Sequence, residues 1–408
     1  MTQAQPKPLA DLRVLELARV LAGPWAGQIL ADMGASIIKV ERSLGGDETR
    51  GWGPPFVDDP GADTKSAAYF HATNRGKKSV VLDFDKADDL KSVRRLAAEA
   101  DIIIENFKVG GLAKFGLDYL AIKALNPRVI YCSITGFGQT GPYAPRAGYD
   151  FIIQGMGGIM DLTGTPDGEP QKVGVAYADI FTGVYAATGI LAALHRRTAT
   201  GLGAYIDMAL LDTQVSVLAN QAMNYLASGT PPRRLGNAHP NIVPYQLFPA
   251  NDGPIIIAAG NDSQFARVCD VLGLRELLTD NRFATNAARV ENRKTLIPII
   301  EAKTRNRSSG ELLAKLEEAG VPAGPVNRLD EVFSDPQVVA RRMRRDVLRS
   351  DGSRVPSVRG PVVIDGEACI ANEASPRLGE HTQEILKALA KHTDPWSVNA
   401  DAASDDQP

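Results

Sequence analysis

The residue in this 408-residue sequence best placed to do chemistry is a lone acid among small and apolar neighbours. Asp179 stands in Gly174-Val175-Ala176-Tyr177-Ala178-Asp179-Ile180-Phe181-Thr182-Gly183, directly before an apolar helix expected over 181–195. A helix N-terminus favours a carboxylate by typically ~0.3–1 kcal/mol, while apolar surroundings disfavour its charge. A carboxylate that is ionised yet poorly hydrated is a competent nucleophile toward a thioester. The same placement suits an ordinary N-cap aspartate. The residue alone leaves both readings standing.

Other chemistries find little support. The sequence has no Walker loop, no Gly-x-Ser-x-Gly elbow, no His-Glu-x-x-His and no Cys-x-x-Cys,. Where a nicotinamide or flavin enzyme would carry Gly-x-Gly-x-x-Gly, the first βα turn reads Val20-Leu21-Ala22-Gly23-Pro24. The three cysteines, Cys132, Cys269 and Cys369, are far apart and fit neither a metal site nor a disulfide framework,. A formal net charge of -3 argues against broad attraction to nucleic acid or to an anionic membrane,. Met1 to Pro8 has no apolar leader core, and no uninterrupted apolar run looks long enough to span a bilayer,. A cytoplasmic protein without metal, nicotinamide or flavin is expected.

The elements that must position Asp179 follow an alternating pattern. Short apolar runs at 13–17, 36–40, 79–82, 101–105, 128–134 and 203–208 read as strands,. Helical patterns fall between them, at 25–33 after Gly23-Pro24, at 86–100 and near 111–114,. This predicts an α/β fold with a doubly wound, Rossmann-like parallel sheet, whose ligands sit at the carboxyl ends of the strands. A long helix is expected over 211–226. Ser228-Gly229-Thr230-Pro231-Pro232 then reads as a hinge,. The expected division is a large domain over 1–228 carrying Asp179, a smaller α/β domain over 229–330, and a C-terminal segment, 331–408, returning to the large one.

Several segments together resemble the class III CoA-transferase family, the formyl-CoA transferase and carnitine-CoA transferase group. They include Leu12-Arg13-Val14-Leu15-Glu16, Leu21-Ala22-Gly23-Pro24, Ile38-Lys39-Val40-Glu41-Arg42 and Asn74-Arg75-Gly76-Lys77-Lys78-Ser79. Further on come Glu105-Asn106-Phe107, Gly136-Phe137-Gly138, Gly320-Val321-Pro322-Ala323-Gly324-Pro325-Val326 and Leu378-Gly379-Glu380-His381-Thr382. The resemblance covers nearly the whole chain. It implies that Asp179 is the catalytic residue, forming aspartyl anhydride and aspartyl-CoA thioester intermediates while CoA passes from an acyl-CoA to a carboxylic acid. It also implies that Val20, Ala22, Arg42, Leu82, Asn106, Phe107, Lys114 and Tyr149 bind CoA, and that the chain forms an interlocked homodimer. Arg75, Lys77, Lys78 and Arg146 are further candidate cations for the CoA phosphates.

Within that family the branches differ at readable positions. The α-methylacyl-CoA racemases carry Gly-His-Asp where this chain has Gly148-Tyr149-Asp150. A phenol of pKa near 10 is a poor base toward a carbon acid at neutral pH. Trp52 matches the formyl-CoA:oxalate branch, but Leu21 stands where that branch has glutamine. The family's glycine-rich loop is reduced to Gly236-Asn237-Ala238-His239-Pro240, which with the following Asn241 to Gln246 resembles the succinyl-CoA:glutarate branch. Leu21, Trp52 and His239 are therefore the candidate substrate pocket. Arg19, Arg233, Arg234 and His239 are candidates to meet the far carboxylate of a dicarboxylic acid. A non-catalytic CoA-binding protein on the same fold is the reading furthest from this one.

Overall fold

The computed structural model describes residues 7–59, 65–349 and 351–398. The leader reading of Met1 to Pro8 falls largely outside them. The chain divides into two compact units. The larger comprises residues 1–159, 173–223 and 337–408, and the smaller residues 160–172 and 224–336. The smaller unit thus includes a short stretch, 160–172, that the sequence reading placed in the large domain. Residues 163–170 are rich in Gly, Pro and Thr, which reads as a loop but does not tell which unit it joins,.

Six strands form the sheet of the larger unit: β1 (Arg13–Glu16), β2 (Ser36–Glu41), β3 (Lys77–Val81), β4 (Ile102–Glu105), β5 (Ile130–Thr135) and β6 (Ala204–Ala209). Their order is β3-β2-β1-β4-β5-β6, and every pairing is parallel. Such a sheet is buried on both faces, which explains unbroken apolar runs such as Ile102-Ile103-Ile104,. Between β1 and β4 the strand order reverses direction. The crevice at that switch point is where a doubly wound sheet takes its ligands.

Helices cover both faces. On one lie α1 (Ala22–Asp32) and the long helix Tyr177–Thr200. They share a core in which Ala26, Leu30, Ala186 and Ile190 pack on Val14, Ile37, Ile104 and Ile130. On the other lie the helices Ala87–Glu99, Tyr119–Leu125 and Thr382–Lys391, which bury Val93, Leu96, Ile122 and Ile385 against Leu15, Ile38 and Ile103. Burying each such side chain stabilises by about 1.5–3 kcal/mol. The helix expected near 111–114 is a single 3₁₀ turn, Ala113–Phe115, closed by Gly116 at φ 61°. The true helix starts at Tyr119, after Asp118. The helix expected over 211–226 is broken in two, Leu210–Ser216 and Ala219–Ser228.

Tyr177–Thr200 is, among the described residues, the one helix long and apolar enough by composition to cross a membrane. The sequence reading saw no such run. One face, with Ala178, Ala186 and Ile190, is buried against α1 and the sheet, while Val184 and Tyr185 are exposed.

The smaller unit holds an antiparallel sheet of Tyr245–Pro249, Pro254–Ala258 and Ala323–Pro325. Phe248, Ile255 and Ile257 bury against Phe265, Val268, Leu296, Leu312 and Leu316 from its helices.

Candidate active site

Asp179 is the third residue of its helix rather than the residue before it, because the helix begins at Tyr177. Its N-cap, Ala176, makes no side-chain hydrogen bond. The capping group comes from elsewhere. Asp150, which opens the helix Asp150–Met156, accepts through Oδ1 from the backbone N–H of Ala178 at 2.8 Å and of Asp179 at 3.4 Å. A cap supplied from 28 residues away leaves no local signature. Gln154, fully buried, fixes that carboxylate: its Nε2 donates to Asp150 Oδ2 at 2.7 Å, and its Oε1 accepts from Val173 N at 2.9 Å.

This arrangement corrects one expectation. The first-turn N–H groups serve Asp150, and the Asp179 carboxylate carries no hydrogen bond or ion pair among the described residues. Burial first, and the Asp150 charge second, push its pKa up to about 7. A carboxyl group poised there is both weakly solvated and basic enough to attack an acyl carbon.

Glycine sets how near Asp179 comes to the first βα turn. Gly183 lies one helical turn after Asp179 on the same face. A Cβ there would stand 2.7 Å from the carbonyl oxygen of Ala22 and 2.9 Å from Trp25 Cδ1. On α1, a Cβ at Gly23 would stand 2.3 Å from Ala18 Cβ. Neither position has room for a side chain, and at 183 the neighbour is backbone, so the two helices meet where a larger residue would hold them apart.

The resulting cleft of about 440 Å³ opens at the carboxyl ends of β1, β4 and β5. Such a volume suits a small-molecule site. Val20, Leu21, Ala22, Asn106, Phe107 and Tyr149 line it together with Asp179. Asn106 spends its amide on the chain: Oδ1 accepts from Arg19 N at 2.9 Å and Nδ2 donates to Arg19 O at 2.7 Å. Its contribution to the cleft is to hold the turn. Three basic residues line the cleft, Arg19, Lys108 and Arg146. Lys108 stands three residues beyond the end of β4, at the carboxyl end where such a sheet takes its ligands,.

The remaining sequence-predicted residues do not line this cleft. Leu82 is buried in the core with Ile38 and Ile103. Arg42 is exposed, donating through Nε to Gly46 O at 3.1 Å and standing 3.6 Å from Glu48. Lys114 is exposed, its Nζ over the Phe115 ring. Arg75 and Lys77 are buried in ion pairs with Asp32 and Glu16, and Lys78 donates to Ser36 Oγ. Trp52 is half-exposed and meets Tyr69 edge-on at 5.3 Å. Tyr69 is a residue that the sequence did not announce. Burial, then the charges of Asp179 and Asp150, push its phenol up to about 12, so it lies within electrostatic reach of Asp179.

In the smaller unit, His239 accepts from Asn241 N at 3.1 Å, and its ring lies 5.1 Å from Tyr245. Burial and then Arg293 lower its pKa. Arg234 there pairs with Asp161, while Arg233 is exposed. Among the described residues no group of His, Cys, Asp or Glu is placed to hold a metal ion.

The raised pKa of Asp179 has a consequence for stability. An unfolded aspartate titrates near 3.9, and this one at about 7 when folded. Between those values only the folded state holds the proton, so stability falls as pH rises through that window and is level above it. Asp179→Asn removes the penalty. Urea titrations at pH 8 are expected to find this variant more stable than the parent by roughly 2–4 kcal/mol, with the difference vanishing below about pH 4.

Known proteins resemble this chain along most of its length. A "Succinate--glutarate CoA-transferase" of Agrobacterium fabrum is 56% identical over 382 residues, covering 94% of this chain and 96% of the other. A "Succinyl-CoA:glutarate CoA-transferase" of Homo sapiens is 41% identical over 389 residues, 95% of this chain and 87% of the other. The crystal structure of a CAIB/BAIF family protein from Brucella suis superposes with a TM-score of 0.84 at 57% identity, covering 94% of this chain and all (100%) of that one. With residues 9–382 matching the family as a whole, the chain belongs to CoA-transferase family III and is an enzyme of acyl-CoA metabolism.

Proposed function

We propose that this CoA-transferase moves CoA from succinyl-CoA to a dicarboxylic acid, glutarate foremost, with Asp179 as the covalent nucleophile. The observation that carries the reading is the unpartnered, half-buried Asp179 carboxylate in a cleft lined by Arg19, Lys108 and Arg146. The names borne by the Agrobacterium and human relatives support the choice of acids.

The steps balance without a redox change. An Asp179 oxygen attacks the thioester carbonyl, the C–S bond breaks, and a mixed anhydride forms with release of CoA thiolate. The thiolate attacks the Asp179 carbonyl, leaving an aspartyl-CoA thioester and succinate. Glutarate attacks that thioester and displaces the thiolate again. The thiolate then takes the glutaryl carbonyl, freeing glutaryl-CoA and the Asp179 carboxylate. CoA enters and leaves as part of the substrates. The cleft's cations are suited to CoA phosphates and to the far carboxylate of the acids. Tyr149 stands at the cleft where a racemase of this family has histidine, which favours transfer over proton abstraction,.

Incubation with succinyl-CoA and glutarate is expected to give glutaryl-CoA by mass spectrometry. Asp179→Ala is expected to lose on the order of 10³-fold or more. Full activity in that variant, or no transfer across a panel of donors and acceptors, would overturn the reading.

The free enzyme must hold Asp179 ionised to attack, so kcat/KM is expected to rise with pH through an acid limb near 7,. Asp150→Asn keeps a capping side chain while removing the neighbouring charge. That variant should move the limb to lower pH, and an unmoved limb would contradict the assignment of Asp150 as a contributor.

We also propose a homodimer, interlocked as the family resemblance implies. The larger unit leaves Phe151, Ile152, Met156, Val184 and Tyr185 exposed on two helices, apolar side chains that a partner chain would cover,. Light scattering is expected to return twice the chain mass of 43.7 kDa. A monomer at micromolar concentration would refute it.

A further inference from the structure

We propose that Asp47 is a positioning residue for the acyl-CoA cleft, acting by holding Val20 in a left-handed backbone conformation. The inference rests on the reading of this cleft as the CoA site.

Val20 has φ 70°. A β-branched residue is an outlier in that region, because its Cβ substituents crowd the backbone. Glycine is the ordinary solution to such a turn. Strain of this kind persists only where the surroundings impose it. Here they do so at three consecutive residues. Lys39, fully buried on β2, donates through Nζ to the carbonyl of Ala18 at 2.7 Å. Asn106 takes both the N–H and the carbonyl of Arg19. Asp47 accepts the N–H of Val20, at 3.3 Å on one oxygen and 3.2 Å on the other.

Asp47 is itself tied down. Its Oδ1 accepts from Thr49 N at 3.0 Å and from Thr49 Oγ1 at 2.8 Å, and its Oδ2 pairs with Lys39 Nζ at 3.0 Å. The Lys39–Asp47 ion pair thus bridges the turn, one end on the carbonyl of residue 18 and the other on the N–H of residue 20. Lys39 is anchored further by Glu16, at 3.0 Å. Asp47 is 1% exposed and Lys39 is sealed from solvent, so neither meets a ligand directly. What they control is the direction in which the chain leaves β1. With Val20 left-handed, Leu21 and Ala22 follow onto the cleft wall beside Asp179, and Leu21 becomes the N-cap of α1. Val20 itself lines the cleft.

A double-variant cycle separates positioning from bulk stability. The readout is binding of CoA by titration calorimetry, which needs no turnover, together with KM for succinyl-CoA against kcat. Asp47→Ala is expected to weaken CoA binding and raise KM at least ten-fold, with kcat changed less. In the Val20→Gly background the same Asp47→Ala change is expected to cost less than three-fold, since glycine adopts the left-handed conformation unheld. If Asp47→Ala does not fold, Asp47→Asn, which loses the ion pair to Lys39, is expected to show the same coupling with a smaller first loss. Equal losses in both backgrounds, or CoA binding as tight as in the parent, would overturn the role given to Asp47. Failure of the parent to bind CoA would instead overturn the reading of the cleft, and the inference with it.

Discussion

The contact on which this active site depends is the meeting of two helix backbones. α1 and the helix Tyr177–Thr200 approach until the carbonyl of Ala22 occupies the space a side chain at 183 would need. One turn earlier, that same approach brings Asp179 to the turn between β1 and α1. Sheet topology alone would deliver the two helix starts to one end of the sheet, but side-chain packing ordinarily separates helix axes by about 8–10 Å. Glycine removes that spacer where nucleophile and turn must share a cleft.

Around this contact the charges are allotted unequally. Asp150 receives the helix N–H groups and the amide of Gln154, while Asp179 receives neither. Two carboxylates close in the fold are thereby given different environments, a recurring way to assign them different work. The cost falls on folding stability, since a buried carboxylate without a partner opposes the native state once ionised. Beneath the first turn the opposite policy holds. Glu16, Lys39, Asp47 and Lys77 are buried in linked ion pairs, and they hold backbone groups on either side of the turn that lines the cleft.

Much of this was legible in the sequence, and the illegible parts share a cause. Each strand of the larger sheet declared itself by a short apolar run, because a sheet covered on both faces needs apolar residues throughout. Asp179 was legible as a lone acid at a helix start, and only the resemblance to a known family set it apart from an ordinary N-cap. Contacts made across long stretches of chain were invisible. Asp150 caps a helix 28 residues on, and Asn106 clamps a turn 87 residues before it. The resemblance to a known family named Asn106 without saying that its amide faces the backbone. It also named Leu82, Arg42 and Lys114, which this structure places in the core or away from the cleft. Tyr69 sits on a short helix whose sequence carries no periodic pattern, and it emerged only through its electrostatic coupling to Asp179.

The larger unit is assembled from three separate stretches of chain, and its last one closes the first. Trp396 donates its indole N–H to the carbonyl of Val14, 382 residues earlier, and the side chain of Arg75 reaches Ser357 and the carbonyl of Val358. Ile385 and Leu389 complete the core on one face of the sheet. The face that the helices Ala87–Glu99 and Tyr119–Leu125 cover in part is therefore completed only by a segment that follows the whole smaller unit in the chain. Folding of this unit depends on contacts of high sequence separation, which form slowly,. Until that segment docks, part of the apolar surface it covers stays open to association with other chains,.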